Sequence, residues 1–231
     1  KSLKKNKIDK KCCFFTTNNM FNIQTYNEIS EKIKLLRKKT KIIAVSKNHP
    51  KAAVELAISH GVMIFGENRV QEATAKFDYL KKNHPNLELH LTGPLQTNKV
   101  REAIKLFDIF HTLDREKLAK EFVKAGGTEN KKFFIQVNTG KEKTKSGVFL
   151  EELREFINYC KLDLSLNVIG LMCIPPINDQ PKKHFSLLVE EAKKNNLPQL
   201  SIGMSADYDD AIKFNASYIR IGTALFGERQ K

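Results

Sequence analysis

From Lys41 onward the chain alternates between short apolar runs and longer amphipathic stretches. The apolar runs are Lys41–Ser46, Val62–Phe65, Leu87–Leu91, Asp108–Leu113, Phe133–Val137, Leu166–Cys173, Gln199–Ile202 and Tyr218–Ile221. They are short and rich in β-branched and aromatic residues, which predicts strands. Between them, Lys51–His60, Val70–Lys82, Lys99–Leu106, Arg115–Ala125, Leu150–Lys161, Lys183–Asn195 and Ala206–Asn215 repeat apolar residues every three or four positions, which predicts helices. Gly61, Gly126-Gly127 and Pro198 stand where helices should stop. A further helix is expected before the first strand, over Asn22–Lys39, from the spacing of Ile23, Tyr26, Ile29, Ile33 and Leu36.

Eight strands alternating with helices imply a parallel sheet, because parallel neighbours need crossover connections. The expected fold is therefore a single α/β domain, a (β/α)₈ TIM barrel over residues 20–231, with an additional N-terminal helix. An open doubly wound sheet is the alternative. No GxGxxG follows the first strand, so its dinucleotide-binding version has no support. Residues 1–19 differ from the rest: lysines, then Cys12-Cys13-Phe14-Phe15, then Thr16-Thr17-Asn18-Asn19. The apolar part is too short for a signal-peptide core, so a disordered extension is expected there.

Composition changes this picture little. The fractions of hydrophobic (41%) and charged (29%) residues are those of an ordinary soluble protein, and no apolar run is long enough for a membrane helix. The formal net charge of +14 admits an anionic partner. Only seven of the 40 cations are arginine and none sits in an aromatic stripe, so nucleic acid is not the expected partner. Cys12, Cys13, Cys160 and Cys173 form no CxxC pair and no zinc spacing. Reduced thiols in a cytoplasmic protein are expected, with Cys160 and Cys173 serving as small core residues and no metal bound.

In a (β/α)₈ barrel, ligands bind where strands end and loops begin. Lys47 closes the first expected strand, and Glu67-Asn68 follow the second, after Gly66. Thr92-Gly93-Pro94 follow the third, Asn138 closes the fifth and Ile174-Pro175-Pro176 follow the sixth. Gly203-Met204-Ser205 follow the seventh, and Arg220 and Gly222-Thr223 belong to the eighth and its end. Glycine lets backbone N–H groups approach an anion, and Ser or Thr adds a hydroxyl donor. Two such loops after strands seven and eight point to a phosphate site, although either alone would suit a tight turn. A lysine ending an apolar strand is partly desolvated, and a neutral amine there can attack an aldehyde.

Several blocks then fit one family in order and spacing. They are Ala44-Val45-Ser46-Lys47, Phe65-Gly66-Glu67-Asn68, the run His90 to Lys99 containing Gly93-Pro94-Leu95-Gln96-Thr97-Asn98, and Lys145-Ser146-Gly147. Gly170-Leu171-Met172, the run Ser201 to Asp207, and the run Arg220 to Gly227 complete the set. From about Tyr26 to Arg229 the chain resembles the pyridoxal phosphate homeostasis proteins. The resemblance implies a barrel like the N-terminal domain of alanine racemase. It implies pyridoxal 5′-phosphate (PLP) as cofactor, bound to Lys47 as a Schiff base. It also implies phosphate contacts from Ser205, Gly222 and Thr223, Arg220 facing the pyridine nitrogen, and Asn68 near the ring. It departs at Lys1–Asn19 and at the short linker Lys38-Lys39-Thr40.

The function so implied is to bind, buffer and deliver PLP, with PLP-dependent apoenzymes as receivers and no catalytic residue. A racemase-like enzyme is the runner-up, and a module for another phosphorylated ligand is third. A permanent cation at the pyridine nitrogen keeps that nitrogen unprotonated and weakens the electron sink. Racemisation needs two bases. In alanine racemases the second comes from a separate C-terminal domain, and the present sequence ends at Lys231, shortly after its eighth strand. No turnover of L-amino acids and a monomeric protein are expected.

Overall fold

The computed structural model describes residues 20–228. The expected extension at residues 1–19 lies outside the described residues. The first element among the described residues is helix α1 (Ile23–Leu35), followed by β1 (Lys41–Val45), α2 (Lys51–Ser59), β2 (Ile64–Glu67), α3 (Val70–Asn83) and β3 (Glu88–Leu91). A short turn of helix at Thr97–Lys99 leads to α4 (Val100–Leu106), β4 (Ile109–Leu113), α5 (Glu116–Ala125) and β5 (Lys132–Gln136). Then come α6 (Leu150–Asn158), β6 (Val168–Met172), α7 (Pro181–Lys194), β7 (Gln199–Ser201), α8 (Tyr208–Lys213), β8 (Tyr218–Ile221) and a last turn α9 (Thr223–Phe226).

The strands form one closed parallel barrel in sequence order, β1 to β8. Closure comes from β1 pairing with β8, from Lys41 opposite Tyr218 to Ala44 opposite Ile221. Strand alternation sorts the core into two layers. Outward residues such as Phe65, Phe110 and Phe133 join Phe77, Phe122 and Phe185 of the helices in the main apolar cluster. Inward residues Ile43, Val45, Ile109, Phe134, Met172 and Tyr218 form a second, smaller cluster inside the barrel.

The N-terminal helix has a structural task. Its cap is Asn22, whose side-chain oxygen accepts the Thr25 N–H at 2.9 Å. The Asn22 N–H donates to Leu225 O at 2.7 Å, and the Phe21 ring packs 5.2 Å from that of Phe226. Residues before the barrel thus brace α9, which carries Thr223. The helix is shorter than its periodicity predicts. It stops at Leu35 because Arg37 turns left-handed (φ 53°) and the Lys38 N–H reaches back to Ile33 O at 3.1 Å.

β2 departs most from the pattern. The apolar run Val62–Phe65 predicted the strand, with Gly66 and Glu67 beyond it. The observed strand is shifted two residues on and contains both, with Glu67 opposite Leu91 of β3. Val62 is apolar because it closes α2: its N–H bonds Ala57 O at 3.1 Å after the left-handed Gly61. Glu67 reads as a loop residue only because its charge is hidden. It is fully buried, and Lys76 of α3 lies 2.5 Å away. Glu67 is therefore part of the sheet and does not face the barrel mouth.

Candidate functional site

The C-terminal ends of the strands surround a cavity of about 300 Å³. It is lined by all six residues singled out from the sequence, Lys47, Asn68, Ser205, Arg220, Gly222 and Thr223. Val45, Thr92, Ile174, Met204 and Ala206 complete the wall.

Each side chain is placed by local structure. Lys47 is half-buried in the turn after β1. The next residue, Asn48, takes the left-handed conformation (φ 62°), which asparagine tolerates, and its N–H donates to Glu72 Oε1 at 2.5 Å. The turn is tied down from behind as well: Lys76 Nζ donates to Ser46 O at 2.7 Å and to Glu72 Oε1 at 2.9 Å. Ser46 Oγ donates to Glu67 Oε1 at 2.7 Å. Burial pushes the Glu67 carboxyl up to about 7 against the pull of Lys76, and its second oxygen has no partner. Asn68 is held by Thr92, whose Oγ1 donates to its Oδ1 at 3.0 Å. Gly93 lies so close that a Cβ there would sit 2.6 Å from the Asn68 backbone.

Ser205 and Thr223 come from neighbouring loops that meet. The Ser205 hydroxyl is 3.4 Å from the Ala224 N–H, in the first turn of α9, where amides have no intrahelical acceptor. Gly203 sets the path of the first loop with φ +90°, and a Cβ there would lie 2.5 Å from that of Ala211. Its carbonyl accepts the Arg220 N–H at 2.9 Å, which links the two loops through β8.

Arg220 is buried and has no carboxylate partner among the described ion pairs. Its NH1 donates to Ser201 O and Ser201 Oγ, both at 2.7 Å, and NH2 donates to Cys173 O at 3.0 Å. A guanidinium has five N–H donors. Three are taken by the protein, which leaves donors for the cavity. Burial lowers its affinity for a proton, but an arginine remains charged.

This set suits a ligand with an aldehyde, a phosphate and an aromatic nitrogen. One amine, two hydroxyls beside first-turn amides, and a guanidinium with spare donors stand around a volume of small-molecule size.

Among the other lining residues, Thr92, Ile174 and Met204 were read as strand-end positions without a role, and Val45 and Ala206 as parts of blocks. Asn138 was read as a strand-end candidate. It is buried and braces its own loop, with its amide donating to Glu142 O at 2.8 Å and Lys145 O at 3.2 Å. That loop lines an adjoining groove of about 500 Å³, which meets the first cavity at Asn68, Thr92 and Ile174. Cys160 and Cys173 are buried, unbridged thiols whose pKa values burial pushes up to about 12, as expected of core residues. Among the described residues no helix is long and apolar enough to cross a membrane.

The class that this fold and site define is the alanine racemase N-terminal barrel: the family model described as "Alanine racemase, N-terminal domain" matches residues 24–230. A curated relative from Aquifex aeolicus, named pyridoxal phosphate homeostasis protein, is 39% identical over 201 residues, covering 82% of this chain and 87% of the relative. The protein of the same name from Escherichia coli is 35% identical over 199 residues, covering 81% of this chain and 85% of the relative. Structures of PipY from Synechococcus elongatus PCC7942, without and with PLP bound, superpose with a TM-score of 0.72 at 35% identity. They cover 86% of this chain and 100% of that one. The chain belongs to the pyridoxal phosphate homeostasis proteins within the alanine racemase N-terminal domain family.

Proposed function

We propose that this chain binds pyridoxal 5′-phosphate in the Lys47 cavity, keeps it in reserve and hands it to PLP-dependent apoenzymes, without a catalytic turnover of its own. The observation that carries this reading is the meeting of Lys47, Arg220, Ser205 and Thr223 in one cavity at the barrel mouth. The cofactor brings an aldehyde that an amine captures reversibly and a phosphate that needs donors. Lys47 is the amine within the cavity. The Ser205 and Thr223 hydroxyls, with the backbone at Gly222, form the anion cradle. Arg220 would offer N–H donors to the ring nitrogen, and Asn68, held by Thr92, would lie beside the ring. Family membership and the PLP-bound PipY structure support the same reading.

The same wall supports the reading of no turnover. Among the described residues lining this cavity, Lys47 and Arg220 are the only ones with ionisable side chains. Moving a proton from one face of a planar adduct to the other needs two acid–base groups. Arg220 cannot take a proton, and as a cation it does not keep the ring nitrogen protonated. Unbridged, buried Cys160 and Cys173 suit a reducing cytoplasm, where we place the protein as a monomer.

Borohydride reduction of the PLP-loaded protein, followed by peptide mapping, tests the reading. The cofactor should be fixed on Lys47, and Lys47→Ala should abolish the visible absorbance of the adduct. An adduct found mainly on Lys99 or Lys145 would remove the basis of the proposal.

A further inference from the structure

The inside of the barrel holds a line of polar side chains for which cofactor binding alone gives no reason. Arg220 NH1 lies 2.7 Å from Ser201 Oγ, and Ser201 Oγ lies 2.8 Å from His111 Nδ1. His111 Nε2 lies 2.8 Å from His90 Nδ1, and His90 Nε2 lies 2.9 Å from Glu88 Oε1. The line runs from β8 through β7 and β4 to the start of β3, at the floor of the barrel. Ser201, His111 and His90 are completely buried. The Phe134 ring stacks 4.6 Å from His111, and the Tyr218 ring lies 5.0 Å from His90.

With both buried rings neutral, as burial favours, the chemistry of the ends fixes the direction of every bond between them. Arginine has donors and no acceptor, so Ser201 Oγ must accept from it. Glu88 has acceptors and no donor, so a neutral His90 carries its proton on Nε2 and a neutral His111 on its own Nε2, which leaves His111 Nδ1 to accept the single hydroxyl proton of Ser201. His111 thus donates to His90 Nδ1, and His90 donates to the Glu88 carboxylate. Burial, the largest influence on each, lowers both histidines. For His111 the nearby His90 and Arg220 act in the same sense. His90 also feels Glu88 and Asp108, which favour its charge, and Lys41, which opposes it. Glu88 is held below the usual carboxylate range by its bond to His90 first, and also by Lys41 and Lys132.

We propose that Glu88, His90, His111 and Ser201 form one directional hydrogen-bond relay that positions Arg220 for the ring nitrogen of the bound cofactor. Rotation of any member would leave a buried donor facing a donor or an acceptor facing an acceptor, which is costly away from water. The guanidinium is thereby aimed from the opposite end of the barrel by residues that never touch the ligand. The relay's ligand rests on the PLP reading, and its direction on the side-chain geometry inside the barrel.

Two measurements test it. Nitrogen-15 NMR of the unliganded wild-type protein, with labelled histidine, should show His90 and His111 as neutral Nε2–H tautomers at pH 7. Either ring as the other tautomer, or as a cation, would overturn the relay. In the PLP-loaded protein, Ser201→Ala should weaken binding about tenfold, with Ser201→Thr close to wild type. Glu88→Gln keeps an acceptor for His90 but removes the negative end. It should move the pH midpoint of the bound cofactor's visible spectrum downward by roughly half a unit. Wild-type affinity in Ser201→Ala together with an unmoved midpoint in Glu88→Gln would also overturn it. Absence of a Lys47 adduct in the wild type would count against the cofactor reading, whereas a normal adduct with the wrong tautomers would count against the relay alone.

Discussion

The two sides of the barrel wall are built on different principles. Outside, between sheet and helices, the contacts are large and apolar: Phe110 lies 4.8 Å from Phe122 edge-on and stacks 5.4 Å from Phe133. Inside, the same strands contribute His90, His111, Ser201 and Arg220, joined by hydrogen bonds among a smaller apolar set. The difference shows where stability and function are separated. The outer layer can hold the barrel closed by area alone, since burial of apolar surface is non-directional. The inner layer uses direction, because a guanidinium serves a ligand only when its N–H groups are aimed.

The comparison breaks most visibly if an outer residue is truncated. Phe110→Ala removes a buried ring that meets Phe107, Phe122 and Phe133, and should cost about 3–5 kcal/mol in denaturant unfolding. The surviving folded fraction should bind PLP with unchanged affinity, since Phe110 faces away from the cavity. A loss of 1 kcal/mol or less (on the same scale of about 3–5 expected), or a large change in PLP affinity at full folding, would erase the division of labour.

At the mouth the expectation is reversed. Ser205 is half-buried and Thr223 exposed, so Ser205→Ala or Thr223→Val should leave the melting temperature nearly unchanged. Each removes a hydroxyl donor proposed for the phosphate, worth roughly 1.5–3 kcal/mol, or tenfold or more in Kd. Pyridoxal, which lacks the phosphate, should bind far more weakly than PLP to the wild type and be indifferent to both substitutions. Equal affinity for the two ligands would show that these loops are not an anion cradle.

Much of this was legible in the sequence, and the failures have physical causes. Strand ends at Lys47, Ser205 and Gly222-Thr223 could be read because a run of apolar residues stops there and glycine or a hydroxyl follows. β2 was misplaced because Val62 owes its apolarity to the end of α2 and Glu67 has its charge masked by Lys76. The inner relay was out of reach for another reason. His90 and His111 each sit within an apolar run, and alternation alone says only that each lies on one face. That Nδ1 of one meets Nε2 of the other depends on the register of β3 against β4, where His90 stands opposite Ile109. Pairing register is a tertiary fact that a single sequence does not encode locally.

Glu67 crosses the division, since it is a buried acid in the outer layer, and it yields the smallest expected effect. Its carboxyl, pushed up to about 7 by burial, binds a proton more tightly in the folded chain than in the unfolded one, where about 4.5 is usual. The sign follows from linkage. The stability contributed by the protonated form is fully present below about 4.5 and is lost as pH rises through about 7. Glu67→Gln fixes the neutral state and keeps an oxygen for the Ser46 hydroxyl. Lys76 retains Glu72 Oε1 at 2.9 Å and Ser46 O at 2.7 Å, so its charge stays compensated. Any cost of the weakened pairing to Lys76 should be a constant offset, whereas the pH slope belongs to Glu67. Denaturant unfolding at pH 5 and pH 8 should therefore show the wild type losing on the order of 1–2 kcal/mol more than Glu67→Gln across that interval. Parallel pH profiles for the two proteins would mean that Glu67 stays ionised beside Lys76 throughout, and that the outer layer tolerates a full buried ion pair directly behind the lysine turn.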